Sequence, residues 1–180
     1  MNRDLHIVGF RVGRESYGAP ITSLYEIVRV PEITAVPDAP AYMEGVINLR
    51  GKIVSVQDLR KRLGETKIVT DRRNRILVVE HNGRLSGLIV DSASEVLKIP
   101  AADVEPSPTE FLEGGLKCVT GLGKYQGRLI VLLDMTKLLE FSNQPGKGLA
   151  DEDQTDSKNQ TDGKNKTGAA TEARGTAASK

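Results

Sequence analysis

Hydrophobic positions up to residue 142 fall in short runs, some alternating and some wholly apolar: Leu5 to Val12, Gly45 to Leu49, Lys52 to Val56, Arg75 to Glu80, Leu85 to Val90 and Leu129 to Leu133. Gly, Pro, Asn and Asp punctuate them, which predicts strands rather than long helices. The sharpest local signal is Asn82-Gly83, between Ile76-Leu77-Val78-Val79 and Leu88-Ile89-Val90. Asn-Gly accepts the positive φ angles of a two-residue hairpin turn, so strands 75–81 and 84–90 are predicted to pair.

The chain also repeats itself. Tyr17-Gly18 lies over Ser86-Gly87, Glu26 over Glu95, Val30-Pro31 over Ile99-Pro100 and Pro37 over Pro106, all at one offset of 69. After an insertion the match resumes at an offset of 76: Gly51-Lys52-Ile53-Val54 over Gly127-Arg128-Leu129-Ile130, Asp58-Leu59 over Asp134-Met135, Leu63 over Leu139. Each half ends as an apolar strand, an Asp placed to cap a helix, and a short amphipathic stretch, Asp58 to Leu63 and Asp134 to Phe141. The expectation is a mainly β fold of two related β-barrel or sandwich units, the halves spanning residues 10–64 and 75–141. Closing each sheet on itself would remove the exposed edges that short strands otherwise present to aggregation.

Composition changes the picture beyond Ser142. Residues 143–180 are Asp, Glu, Lys, Asn, Gln, Thr, Gly and Ala with Leu149 the only large apolar residue, and their six basic and six acidic side chains balance. Such text cannot bury enough surface to offset its chain entropy, so a domain over 1–142 and a disordered tail over 143–180 are expected. Over the whole chain, 25 Lys+Arg against 24 Asp+Glu leave a net charge of +1. That gives no electrostatic reason to expect nucleic acid or anionic lipid. No apolar run approaches the length of about 20 residues that a membrane-spanning helix needs, and charge and glycine interrupt the N-terminal stretch Met1 to Phe10 before it could act as a secretion signal. A cytoplasmic protein without direct membrane insertion is expected, in which Asn159-Gln160-Thr161 and Asn165-Lys166-Thr167 carry no sugar.

Candidate catalytic chemistry is thin. His6 and His81 lack neighbours at metal-site or nucleophile-base spacing, and His81 reads as a solvated hairpin tip. The single cysteine, Cys118, excludes an internal disulfide and reads as a core thiol. Gly45 to Lys52 fails as a phosphate loop, with five residues between Gly45 and Gly51 and Ile53 in place of Ser or Thr. Gly121 to Gly127 is glycine-rich, yet an apolar strand follows it instead of the helix that would face pyrophosphate. Glu105, Glu110 and Glu113 sit in a Pro-containing connector with nothing to raise a pKa. Arg60-Lys61-Arg62 and Arg72-Arg73-Asn74-Arg75 read as a solvated helix face and a solvated loop, without the aromatic partners of a nucleic-acid surface. No enzyme, metal or cofactor is expected.

Gly45-Val46-Ile47-Asn48-Leu49-Arg50-Gly51-Lys52-Ile53-Val54, followed by Asp58-Leu59-Arg60, resembles the CheW family of bacterial chemotaxis coupling proteins. Tyr17-Gly18-Ala19-Pro20-Ile21, Tyr25-Glu26-Ile27-Val28, Val36-Pro37, Tyr42-Met43-Glu44-Gly45, Gly87-Leu88-Ile89-Val90-Asp91 and Thr120-Gly121-Leu122-Gly123 extend the likeness over nearly all of residues 5–141. The resemblance implies two SH3-like five-stranded β-barrel subdomains with short helices, and an adaptor without catalytic activity. It implies as partners the cytoplasmic tip of transmembrane chemoreceptors, the regulatory domain of a CheA-type histidine kinase and other CheW-like domains in arrays at the inner face of the membrane. The same adaptor serving a chemosensory system for surface motility or gene regulation is the alternative.

By the same resemblance Glu26 and Arg50 form a pair beside the receptor groove, where the pair either shapes the groove or braces a loop within the fold. Ile21, Leu24, Ile76, Leu77, Ala93 and Val96 match positions of receptor or kinase contact, each equally suited to burial in the domain's own core. Ser55 stands where the family has Pro, and Gln57 where it favours an apolar residue. A buried Gln57 would need a hydrogen-bond partner, so it is expected to face solvent or a partner.

Overall fold

The computed structural model describes residues 4–108 and 117–142. The expected tail at 143–180 and the carboxylates Glu110 and Glu113 lie outside the described residues. Eleven strands are described: β1 (Leu5–Val12), β2 (Glu15–Pro20), β3 (Leu24–Arg29), β4 (Met43–Leu49), β5 (Lys52–Asp58), β6 (Arg75–His81), β7 (Arg84–Val90), β8 (Ser92–Ile99), β9 (Val104–Pro106), β10 (Val119–Tyr125) and β11 (Arg128–Leu133). Helix α1 (Leu59–Arg62) follows β5 and α2 (Met135–Ser142) follows β11. Both begin as the sequence predicts: Asp58 Oδ1 accepts from the Arg60 amide at 2.9 Å, and Asp134 Oδ1 from the Lys137 amide at 3.1 Å. The Asn82-Gly83 hairpin joins β6 to β7, with φ of 51° and 73° at its two turn residues.

The strands form a six-stranded sheet ordered β8-β1-β2-β11-β10-β9 and a five-stranded sheet ordered β3-β6-β7-β5-β4. Neither sheet is confined to one half of the sequence. The first hairpin, β1-β2, pairs with strands of the second half, and the β6-β7 hairpin of the second half completes the sheet of β3, β4 and β5. The two halves have exchanged hairpins. The ladders also repeat at the two offsets found in the sequence: Tyr17 opposes Val131 as Ser86 opposes Ser55, and Gly9 opposes Glu95 as Val78 opposes Glu26.

Two expectations change here. The sheets hold six and five strands rather than five each, and neither closes as a barrel through strand pairing among the described residues. β8 and β9 remain the edges of one sheet, β3 and β4 of the other. The six-stranded count arises because β9 pairs with β10, whereas its counterpart in the first half is a single bridge, Thr34 to Val46.

Burial explains how the layers cohere. Phe10, Val12, Leu59, Leu77, Val79, Leu88, Leu133, Met135 and Leu138 form one core shared by both sheets and both helices. A second cluster of Ile47, Val54, Val56, Ile76, Val78 and Ile89 belongs to the five-stranded sheet, and a third of Ile7, Leu97, Ile99, Ile130 and Leu132 to the six-stranded one. Along β6, Ile76 and Val78 point into the second cluster while Leu77 and Val79 point into the first. A strand buried on both faces reads as the continuous apolar run seen in its sequence.

Candidate functional site

The Asn48-Leu49-Arg50-Gly51 run is the turn between β4 and β5. Arg50 and Gly51 take φ of 51° and 84°, a two-residue hairpin turn in which the second position suits glycine. The Asn48 side-chain oxygen accepts from the Gly51 amide at 2.8 Å and pins the turn. Gly45, at φ 140°, sits where an added Cβ would lie 2.1 Å from the Thr34 carbonyl oxygen, so only glycine admits the bridge between Thr34 and Val46. Each polar or glycine position of the motif thus has a local structural job.

That turn aims Arg50 across a gap. Arg50 Nη2 donates to Glu26 Oε1 at 2.7 Å, with the arginine side chain 79% exposed and the glutamate 24%. Glu26 is on β3 and Arg50 follows β4, the two opposite edges of the five-stranded sheet. The sheet therefore curls enough for its edges to meet through side chains. Lys52 reinforces the closure, its Nζ 3.5 Å from the Tyr25 hydroxyl and 5.2 Å from the ring centroid.

Beside this closure lies a cleft of about 520 Å³ between the sheets, lined by Leu24 and Tyr25 on one side and by Leu133, Asp134 and Met135 on the other. The sequence signalled neither the cleft nor the part played by Tyr25 and Lys52. The one available cue was an aromatic placed next to Glu26. Ile21, at 41% exposed, precedes β3 and adjoins this region in sequence, and Leu24 is half-buried against the shared core. Ala93 packs on that same core from β8, and Val96 is exposed on β8, an edge of the other sheet. Ile76 and Leu77 are a correction: both have no exposed surface, because β6 is buried on its two faces, so neither can touch a partner.

A second polar group of the structure is buried. Arg60 sits with its side chain 4% exposed, donating from Nε and Nη2 to Asp58 at 2.9 and 2.7 Å and from Nη1 to the Val69 carbonyl at 2.9 Å and to Asp91 at 3.2 Å. The bonds to Asp58 and then its charge raise the arginine pKa against the opposing effect of burial. Asp91 in turn accepts from the Gly13 amide at 2.7 Å. Arg62 is also buried, donating to Gln57 Oε1 at 3.1 Å with its guanidinium 5.5 Å from the Tyr42 ring, and burial lowers its pKa. These findings correct two expectations. Arg60 and Arg62 are not a solvated helix face, and Gln57 does not face solvent; its partner is Arg62.

The remaining candidates lie on strands and turns. Gly121 to Gly127 is strand β10 and the turn into β11, without a following helix. Cys118 is buried, and burial pushes its thiol pKa up. His81 is half-buried rather than solvated, 3.7 Å from Glu140. No group of three metal-ligating side chains exists among the described residues, and no described helix is long and apolar enough to cross a membrane.

A family model described as a CheW-like domain matches residues 6–142. The chain belongs to the CheW-like family. It is 35% identical over 136 residues to the chemotaxis protein CheW of Helicobacter pylori, a span of 76% of this chain and 82% of that one. It is 30% identical over 139 residues to the protein FrzA of Myxococcus xanthus, covering 75% and 85% of the two chains. The crystal structure of the scaffolding protein TtCheW from Thermoanaerobacter tengcongensis superposes with a TM-score of 0.68 at 35% identity, covering 82% of this chain and 97% of that one. CheW-like proteins are non-catalytic scaffolds, and this chain is one of that type rather than an enzyme.

Proposed function

We propose that this CheW-like scaffold acts in the cytoplasm as the coupler between the cytoplasmic tip of chemoreceptors and the regulatory domain of a CheA-type histidine kinase, recruited with them into arrays at the inner face of the membrane. The observation that carries the reading is Arg50, held 79% exposed by its turn and joined to Glu26, the residue after Tyr25, which lines the cleft between the sheets. A receptor helix laid in that cleft would meet the half-buried Leu24 and the exposed Tyr25 as its apolar floor and wall. Val96 on β8 and Ile21 before β3 offer apolar surface for the kinase domain or a second CheW-like domain. Contacts of this kind build an array by avidity, so each can be weak.

The test is a titration of the chain with the CheA regulatory domain and a soluble receptor tip from the same organism, repeated with Arg50→Glu. Binding to both, with the receptor arm selectively lost in the variant, is the expected result. Binding to neither would move the scaffold to other partners. A second reading, beside the likeness to the protein FrzA of Myxococcus xanthus, is that the same coupling serves a chemosensory system for surface motility or gene regulation. Deleting the gene and scoring swimming against surface motility separates the two.

A further inference from the structure

At the other end of the five-stranded sheet, the β1-β2 turn, the connection from α1 to β6 and the β7-β8 junction surround a cleft of about 390 Å³. Arg11 and Arg14 line it from the first hairpin, Lys67 and Arg73 from the connection. Two of its three acidic residues are engaged already. Asp91 is held by Arg60 and the Gly13 amide, and Asp71 holds Arg73 at 2.7 Å. Glu65 lies against Gly13, its carboxylate in the space where a Cβ would stand, and is the one lining carboxylate without an ion pair among the described residues. Arg11, Arg14 and Lys67 are exposed and have no ion pair among the described residues. Four cations and three carboxylates line the cleft, and with Asp91 and Asp71 paired the charges left over are Arg11, Arg14 and Lys67 against Glu65. A cleft with an excess of one sign focuses its field and draws ligands of the other.

The walls are fixed in advance. Asp91 ties the first turn to α1, its carbonyl oxygen accepts from Asn74 at 3.3 Å, and its amide donates to the Arg11 carbonyl at 3.0 Å. A preformed cleft spares its ligand the cost of ordering the loops. We propose that this cleft binds an acidic polypeptide segment of a partner protein, whose carboxylates pair with Arg11, Arg14 and Lys67. No aromatic side chain lines it to stack a base. Glu65 and Asp71 interrupt the cations, which a uniform phosphate backbone would meet as repulsion and a peptide can meet with neutral or donor side chains. Its concavity does not fit a flat lipid surface.

The site is separate from the coupling surface. β5 runs parallel to β7, so the Arg50 turn before β5 and Asp91 after β7 lie at opposite ends of strands about 20 Å long. Both surfaces can be occupied at once, and the inference does not depend on the coupling role.

Fluorescein-labelled octaglutamate titrated into the full chain, followed by anisotropy at low and high salt, tests it. Saturable binding that weakens with salt is expected, with affinity falling about tenfold or more in the double variant Arg14→Glu, Lys67→Glu. Lys98→Glu, on the other sheet, should change affinity less than about twofold, since a screened charge that far away contributes little. All substituted side chains are exposed, and circular dichroism checks that the variants fold. Failure of the full chain to bind, an equal loss in the Lys98→Glu control, or tighter binding of a DNA duplex or of phosphatidylserine vesicles than of the peptide would each overturn the proposal.

Discussion

Two arginine-carboxylate pairs in this protein have the same closest approach, 2.7 Å, and opposite surroundings. Arg50 and Glu26 meet with the arginine 79% exposed; Arg60 and Asp58 meet with both side chains under 5% exposed. Water screens the first pair, so its contribution to stability is at most about 1 kcal/mol. The second has lost its water and must be satisfied by the protein, which it is, through Asp58, Asp91 and the Val69 carbonyl. Distance alone thus says little about what an ion pair does. The exposed pair contributes little to stability, whereas the buried one fixes α1, the connection after it and the first hairpin in one arrangement.

Breaking the buried pair should have the largest effect. Arg60→Ala leaves Asp58 and Asp91 without their cation and is expected to cost about 3 to 5 kcal/mol, read as a lower urea midpoint. A loss below about 1 kcal/mol would show that the network does not hold the fold. Next comes the backbone that supports the exposed pair. Gly45→Ala forces a side chain into φ 140° against the Thr34 carbonyl, with an expected cost of about 1 to 3 kcal/mol or more by the same measurement. Arg50→Glu should cost less than about 1 kcal/mol while removing receptor binding, and unfolding of this variant would make the pair a brace.

A third pair, Asp71 with Arg73, sharpens the comparison at the exposed limit. The bonds from Arg73 hold the Asp71 carboxyl below the usual carboxylate range. An unfolded chain therefore takes up this proton at higher pH than the folded one, and the contribution is complete above the ordinary pKa near 4 and lost as pH falls through the lower folded value. Both groups are in solvent, so Asp71→Asn is expected to move the acid-unfolding midpoint barely, the smallest effect of the series.

The strand runs, the Asn82-Gly83 hairpin and the Asp caps at 58 and 134 were legible because each depends on residues a few positions apart. The meeting of Glu26 and Arg50 was legible only through the family likeness, since 24 residues and a whole curled sheet separate them. Arg60, Arg62 and Gln57 were misread for a related reason. A charged residue on a one-turn helix looks solvated from its own neighbours, and what buries Arg60 is Val69 from the next connection and Asp91 from the end of β7. Ile76 and Leu77 show the converse, as a wholly apolar run is the mark of a strand covered on both sides, not of a binding face.

By itself the sequence determined the local conformations, the turns, the caps and the fact of duplication, because φ preferences and alternation act over two to five residues. Tertiary structure decided which strands became neighbours. Alternation says that Ile7 and Ile76 belong inside, but either hairpin could satisfy that rule in either sheet, and only the summed packing of three apolar clusters selects the exchanged arrangement. The same long-range choice curls β3 toward β4 and so brings Arg50 to Glu26. Hydrophobic burial has no direction of its own, so partnership emerges only when every strand is placed at once.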